Sequence, residues 1–172
     1  MLLSFINKQK IWRAVWYIIY LLLVLLLQNL VFSRVTILGV RAMFVPAAVA
    51  ALGMFEGGVW GGVFGLFTGI FCDMSFPENT AMFTGLFPIV GFFSGMATQF
   101  LMTRRFVAYL PLMFLALALS AALQMAPPLL AAPAAAGAIL RTALFQLLWS
   151  IPLALPLYFP CRAIHGGILD QR

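Results

Sequence analysis

The sequence predicts an all-α polytopic membrane protein with six transmembrane helices, organised as one membrane domain over residues 1–172. Three observations predict this fold class. Hydrophobic residues make up 65% of the chain and charged residues only 8%, whereas about a quarter of the residues in soluble domains are charged. The mean hydropathy is +1.09. Apolar runs of roughly the 20 residues that a span needs follow one another with short polar links, which leaves little chain for an extramembrane domain.

Charged, glycine-rich or proline-rich segments separate the six predicted spans. A basic amphipathic lead-in with Lys8, Lys10 and Arg13 precedes the first span, which we expect to be retained because it lacks a small-residue cleavage site. The second apolar run is short and contains Pro46, so its sequence leaves open whether it crosses the bilayer fully. A neutral loop, PPLLAAPAAAG, is predicted before the last span. The predicted spans are residues 14–32, 36–55, 57–73, 80–103, 106–125 and 140–161.

Basic side chains at the ends of the spans predict the orientation. With the amino terminus inside, six spans leave both termini in the cytoplasm and put most of the ten Lys and Arg residues on that side, as the positive-inside rule requires. The net charge of +6 is therefore expected to face anionic membrane lipid rather than nucleic acid. The inside set is Lys8, Lys10, Arg13, Arg104, Arg105, Arg162 and Arg172, and the outside set is Arg34, Arg41 and Arg141.

A row of glycines marks the predicted third span, which we expect to be the helix around which the others pack. These residues, the glycine row, recur every four positions and so lie along one ridge of a helix. Glycine lets a neighbouring helix backbone approach closely, and the sequence leaves open whether that helix belongs to this chain or to a partner. Glycines of the fourth span are expected to join the same interface. The glycine row is Gly57, Gly61, Gly65 and Gly69, and the fourth-span glycines are Gly85, Gly91 and Gly95.

The carboxylate of Asp73 continues the four-residue spacing at the outer end of the third span. An acid at this depth requires a named partner if it lies below the interface. Arg34 and Arg41 are predicted on the same side, so the three residues form a candidate outer-end polar cluster. The alternative is that Asp73 is solvated among the lipid headgroups. Glu56, beside two glycines at the opposite end, leaves the same two alternatives open, and a solvated turn residue is the usual interpretation of an acid there.

Enzymatic chemistry is not predicted, and no cofactor or metal is expected. The single histidine, His165, follows the last span without the neighbours that a triad or a metal site needs. A proton relay is disfavoured because Glu56 and Asp73 lie at opposite ends of one helix. The two cysteines, Cys72 and Cys161, are expected at opposite membrane faces, which excludes a disulfide between them.

The middle of the chain resembles the rod shape-determining protein MreD family of bacteria. The resemblance rests on Pro46 opening an apolar run, on the glycine spacing through Gly61, Gly65 and Gly69 to Asp73, on a polar turn, and on the features that follow it. It covers about residues 40–105. The later features are Gly85, Gly91 and Gly95 on the next span and the basic pair Arg104 and Arg105.

The resemblance implies a non-enzymatic scaffold subunit of the cell-elongation machinery, which directs lateral peptidoglycan synthesis in the bacterial inner membrane. The implied partners are an MreC-like membrane protein, a RodA-type glycan polymerase with its penicillin-binding transpeptidase and, indirectly, MreB filaments. The family is thought to share its membrane fold with substrate-binding subunits of energy-coupling-factor transporters. The alternative function is therefore a small-molecule (vitamin) binding subunit of such a transporter, with candidate polar residues Gln28, Asn29, Arg41, Asp73, Gln124 and Arg141.

Overall fold

Helices dominate the architecture. The computed structural model describes residues 2–32, 36–37, 40–75, 81–100, 105–131, 134 and 136–166. A π-helical segment, Gln28–Phe32, extends the first helix, and a 3₁₀ turn, Leu155–Leu157, joins the last two. Within the described residues the helices are α1 Leu2–Leu27, α2 Val45–Glu56, α3 Gly58–Ser75, α4 Met82–Phe100, α5 Phe106–Ala131, α6 Ala136–Ala154 and α7 Tyr158–Gly166.

In the part of the chain that the structure describes, five helical segments are long and apolar enough to cross a membrane. They start in α1, α3, α4, α5 and α6, and the last continues through the 3₁₀ turn to the end of α7. The helix α2 is apolar but shorter. The chain is an all-α polytopic membrane protein, which confirms the predicted fold class.

The short helix α2 lies at the centre of the molecule. Every residue from Val45 to Phe55 is buried, and α1, α3, α4, α5 and α7 pack around it. Alanine and glycine at many of these positions give neighbouring helices room to approach. Its 12 residues span about 18 Å, well short of the roughly 30 Å hydrocarbon core. The organising helix is therefore α2, and the expectation that the glycine-row helix holds this position was wrong.

The predicted second span, 36–55, is helical only in its second part. Thr36–Ile37 pairs with Val40–Arg41 as two short antiparallel strands, β1 and β2. The helix begins at Val45 with Pro46 in its first turn, where the missing backbone donor costs no helical hydrogen bond. The short apolar run is thus accommodated by burial inside the helix bundle, with β1 and β2 preceding it.

Two further boundaries differ from the prediction. The basic lead-in is continuous with α1, which begins at Leu2. The helix α5 runs to Ala131 through Pro127 and Pro128, so the first part of the predicted loop is helical. Proline removes a backbone donor and normally disrupts a helix interior, but its φ near −65° is a helical value, and α5 continues through both prolines at this exposed end.

The helices alternate in direction and define two ends of the molecule. Arg13, Glu56 and His165 meet at one end, here called the Glu56 end. Asp73 contacts the start of α4 at the opposite end, the Asp73 end. Because Arg13 lies in the amino-terminal half of α1 and His165 lies near the end of α7, these two parts of the chain are at the same end of the molecule.

Candidate functional site

The glycine row of α3 packs against α4. A Cβ atom built on Gly61, Gly65 or Gly69 would overlap backbone atoms of that helix. At Gly65 it would lie 2.7 Å from the carbonyl carbon of Phe87, and at Gly69 it would lie 2.7 Å from the Cα of Thr84. The absence of side chains therefore brings the two helix backbones closer than alanine would permit.

Glycines of α4 and α2 complete this contact. A Cβ on Gly91 would lie 2.6 Å from the carbonyl carbon of Gly61, and one on Gly95 would lie 2.6 Å from the Cα of Gly58. The Cα of Gly53, in α2, would lie 2.7 Å from a Cβ on Gly61. Three helices thus meet through backbone atoms. The neighbour that the sequence left open is a helix of the same chain, because α4 occupies the ridge along its length.

The remaining two predicted glycines have other surroundings. Gly57 separates α2 from α3 with a φ of 92°, a left-handed conformation that favours glycine. A Cβ there would also lie 2.6 Å from Nε2 of Gln99. Gly85 is exposed on α4, with no atom within 4 Å of an added Cβ. It takes no part in packing among the described residues, and its role at a partner interface stays a prediction.

Asp73 binds the amino-terminal end of α4. One carboxylate oxygen accepts a hydrogen bond of 3.1 Å from the amide of Phe83, and the other accepts bonds from the amide and hydroxyl of Thr84 at 2.7 and 2.6 Å. The first amides of a helix have no partner within the helix, and a carboxylate there also meets the positive end of the helix dipole. Asp73 therefore links the end of α3 to the start of α4.

The described contacts of Asp73 are those of a helix cap, and its predicted pairing with Arg34 or Arg41 stays a prediction. Arg34 lies outside the described residues, and of Arg41 only the backbone, in β2, is described. Both oxygens of Asp73 already accept hydrogen bonds from α4. The partly buried carboxylate is not simply solvated among headgroups either.

Glutamines hold the chain together near the Asp73 end, whereas the sequence indicated Gln28 and Gln124 only as candidates for a ligand site. Gln28 donates a hydrogen bond to the carbonyl of Ala42 at 2.6 Å and accepts one from the amide of Phe44 at 3.2 Å. Gln146 donates to Gln124 at 3.2 Å. Gln28 thus holds the π-helical extension of α1 to the segment before α2, and the Gln124–Gln146 bond joins α5 to α6. Gln124 also contacts Met43 of that segment, which links the two pairs.

A second polar group, here called the Glu56 cluster, is formed by Arg13, Tyr17, Glu56 and His165. Nη1 of Arg13 lies 3.6 Å and Nδ1 of His165 lies 3.7 Å from Oε1 of Glu56. The side chain of Arg13 is 22% exposed, that of His165 is 19% exposed and that of Glu56 is 15% exposed. The buried hydroxyl of Tyr17 faces the same carboxylate. The interpretation of Glu56 as a solvated turn residue was wrong.

The sequence missed this cluster because its members come from three distant helices. Arg13 belongs to the basic lead-in within α1, whereas Glu56 ends α2 and His165 lies near the end of α7. The one available signal was an acid and a histidine placed directly at the ends of apolar helices, since ionisable residues at such depth are usually paired. Only the packing of α2 between α1 and α7 identifies the partners.

The cluster can bind charge but has no set of metal ligands. Among the described residues no three His, Cys, Asp or Glu side chains are close enough to hold a metal ion. Cys72 and Cys161 are free and buried. Ion pairing and hydrogen bonding are therefore the chemistry that this cluster offers.

Comparison of the chain with family models, curated proteins and solved structures finds no match.

Proposed function

We propose that this chain is a non-enzymatic scaffold subunit of the bacterial cell-elongation machinery, located in the inner membrane with both termini in the cytoplasm, and that it binds an MreC-like protein. The observation that supports this proposal is that the glycines and polar side chains inside the described part of the molecule contact other segments of the same chain. The glycine row holds α4, Asp73 caps α4, and Gln28 fixes the segment before α2. The apolar outer surface is then what the protein offers to partners.

The outward face of α4 is the proposed contact for the partner's membrane helix. Ile89 and Phe93 are exposed there, and Gly85 lies one turn before Ile89 with open space around it. Small residues beside large ones let a second helix pack closely in lipid, where van der Waals contact drives association. The RodA-type polymerase and its transpeptidase are proposed to join through the MreC-like protein, and MreB filaments indirectly.

Purification in mild detergent tests this proposal. We expect the MreC-like protein to co-purify with the wild type and to be lost with Gly85→Leu, which fills the open space without a clash inside the chain. Thermal unfolding of Gly85→Leu should match the wild type. Gly65→Leu is the matched control, because it should lower stability through the contact between α3 and α4. Failure of any elongation protein to co-purify with the wild type would contradict the scaffold role, and normal binding by Gly85→Leu would remove the α4 face.

The alternative, a vitamin-binding subunit of an energy-coupling-factor transporter, is favoured by one observation. Gln124 and Gln146, from α5 and α6, meet near the Asp73 end, with Nε2 of Gln124 3.0 Å from the sulfur of Met43. Convergent amides of this kind are typical of small-molecule sites. A vitamin that raises the thermal unfolding temperature of the wild type, with a smaller rise in Gln146→Leu, would support this function over the scaffold.

A further inference from the structure

A cavity opens beside the Glu56 cluster. Its volume is about 380 Å³, and Arg13, Tyr17, Glu56 and Trp60 are among the residues that line it. Trp60 is exposed, as are Trp12 and Trp16 of α1. Tryptophan concentrates where the hydrocarbon core meets the headgroups. The cavity therefore lies at the depth of lipid headgroups.

A carboxylate and a guanidinium line the cavity side by side. The side chains of Glu56 and Arg13 are 15% and 22% exposed, and the 3.6 Å between Oε1 and Nη1 fits an ion pair but exceeds a hydrogen bond. Oε1 of Glu56 and Nε of Arg13 are themselves buried, so a ligand in the cavity reaches only the exposed part of each group. His165 and Tyr17 also face the carboxylate. A ligand that carries an N–H donor cation and an anionic acceptor is complementary to this pair of charges.

An apolar groove continues from the cavity between α1 and α3. It has a volume of about 310 Å³ and shares Ala14, Trp60 and Phe64 with the cavity. From Ala14 to Leu25 the groove follows α1 for about 16 Å, close to half of the roughly 30 Å hydrocarbon core. Thr68 on this wall donates its hydroxyl hydrogen to the carbonyl of Phe64 at 2.7 Å, within its own helix. The groove fits a hydrocarbon chain of one leaflet.

We propose that the cavity and groove form a binding site for an aminophospholipid with an ethanolamine headgroup. The ammonium donates to Glu56, the phosphate accepts from Arg13, and one acyl chain lies in the groove. Guanidinium groups bind phosphate with directed N–H bonds, and a primary ammonium provides three donors. A choline headgroup has no N–H donor, and a glycerol headgroup has no cation for Glu56. This site is independent of the scaffold role.

Native mass spectrometry of the full chain in detergent tests the headgroup selection. Equal amounts of phosphatidylethanolamine, phosphatidylcholine and phosphatidylglycerol with identical acyl chains are added to delipidated wild-type protein. We expect one phosphatidylethanolamine to remain bound at several-fold higher occupancy than either other lipid. Equal retention of all three, which would indicate only surrounding bulk lipid, or a preference for phosphatidylglycerol, would overturn the proposal.

Variants then locate the site. Arg13→Gln and Glu56→Gln should each abolish the preference, whereas Arg141→Gln, an exposed arginine in α6, should retain it. The comparison among headgroups on the wild type decides the proposal even if one variant fails to fold. Soluble glycerophosphoethanolamine should not displace the lipid at equal concentration, because it lacks the chain in the groove. A preserved preference in folded Arg13→Gln and Glu56→Gln would place the lipid elsewhere.

Discussion

The glycines of this protein are of two kinds, which differ in whether an added methyl group would clash with a neighbouring helix or enter open space. At Gly65 an added Cβ would lie 2.9 Å from the backbone nitrogen of Pro88, which cannot move as the tip of a side chain can. At Gly85 the same atom would have open space around it. Both residues are in membrane helices and belong to similar sequence patterns, so the pattern does not distinguish them.

Gly65→Ala is expected to lower the free energy of unfolding by about 1–3 kcal/mol, the usual cost of overpacking. The clash is with backbone atoms of α4, so the two helices must separate. Gly85→Ala is the matched control and should be neutral or slightly stabilising, because alanine favours helix by about 1 kcal/mol over glycine. Thermal unfolding in detergent measures both. Equal stability of the two variants would contradict the close contact.

Asp73→Ala is expected to destabilise the protein by about 1–2 kcal/mol, the typical value for a lost helix cap. Three hydrogen bonds to the start of α4 disappear, and two of the donors are backbone amides. Thr84→Val removes only the hydroxyl donor and should cost less. Chemical denaturation of the two variants ranks them, and a larger loss for Thr84→Val would refute the capping role.

At the scale of elements, tertiary hydrogen bonds hold the irregular segments on either side of regular helices. Gln28 fixes the segment before α2 through both ends of its amide. Where α6 passes through a 3₁₀ turn into α7, the carbonyls of Ala154 and Leu157 accept hydrogen bonds from Tyr109 and Tyr20. Side chains of neighbouring helices thus satisfy backbone groups at helix breaks, as non-helical backbone in a membrane protein requires.

Gln28→Leu is expected to expose the segment before α2. It leaves the carbonyl of Ala42 and the amide of Phe44 without this partner, at about 1–3 kcal/mol for each buried group. Hydrogen exchange of a peptide that contains Phe44 should become faster. Thr142→Val is the control, since that exposed hydroxyl donates only to Ala138 within its own helix. Unchanged exchange in Gln28→Leu would show that other contacts hold the segment.

Tyr109→Phe is expected to lower stability by about 1 kcal/mol, the typical net value of one hydrogen bond. The hydroxyl donates to the carbonyl of Ala154 at 2.9 Å and also lies 3.4 Å from the carbonyl of Ala47 in α2. The ring itself stays in place in the variant. Thermal unfolding in detergent measures the change, and an unfolding temperature equal to that of the wild type would show that the α6 break needs no such donor.

At the scale of the whole molecule, a buried centre lies between two ends that carry polar contacts. The core surrounds α2, the Glu56 cluster is at one end, and the Asp73 contact with α4 is at the other. Long helices expose large apolar side chains outward, which a bilayer accommodates without cost. In this arrangement, the starts of α1 and α5 and the end of α7 lie at the Glu56 end.

Cysteine labelling tests the predicted orientation of the two ends. Gly137→Cys, at the start of α6 toward the Asp73 end, should react with a membrane-impermeant maleimide added to intact cells. Arg105→Cys, at the start of α5 near the Glu56 end, should react only after permeabilisation. The native cysteines are buried and give little background. The reverse labelling pattern would invert the orientation that the basic residues predict.

Composition and spacing alone determined that this chain is a helical membrane protein and that α3 presents a ridge of glycines. These properties follow from hydropathy and from the period of a helix, which are local. Tertiary structure alone decided that α4 fills the ridge, that Asp73 caps α4 and that Glu56 meets Arg13 and His165. Each of these contacts joins residues from different helices, and which helices become neighbours depends on how the whole bundle packs around the short, fully buried α2.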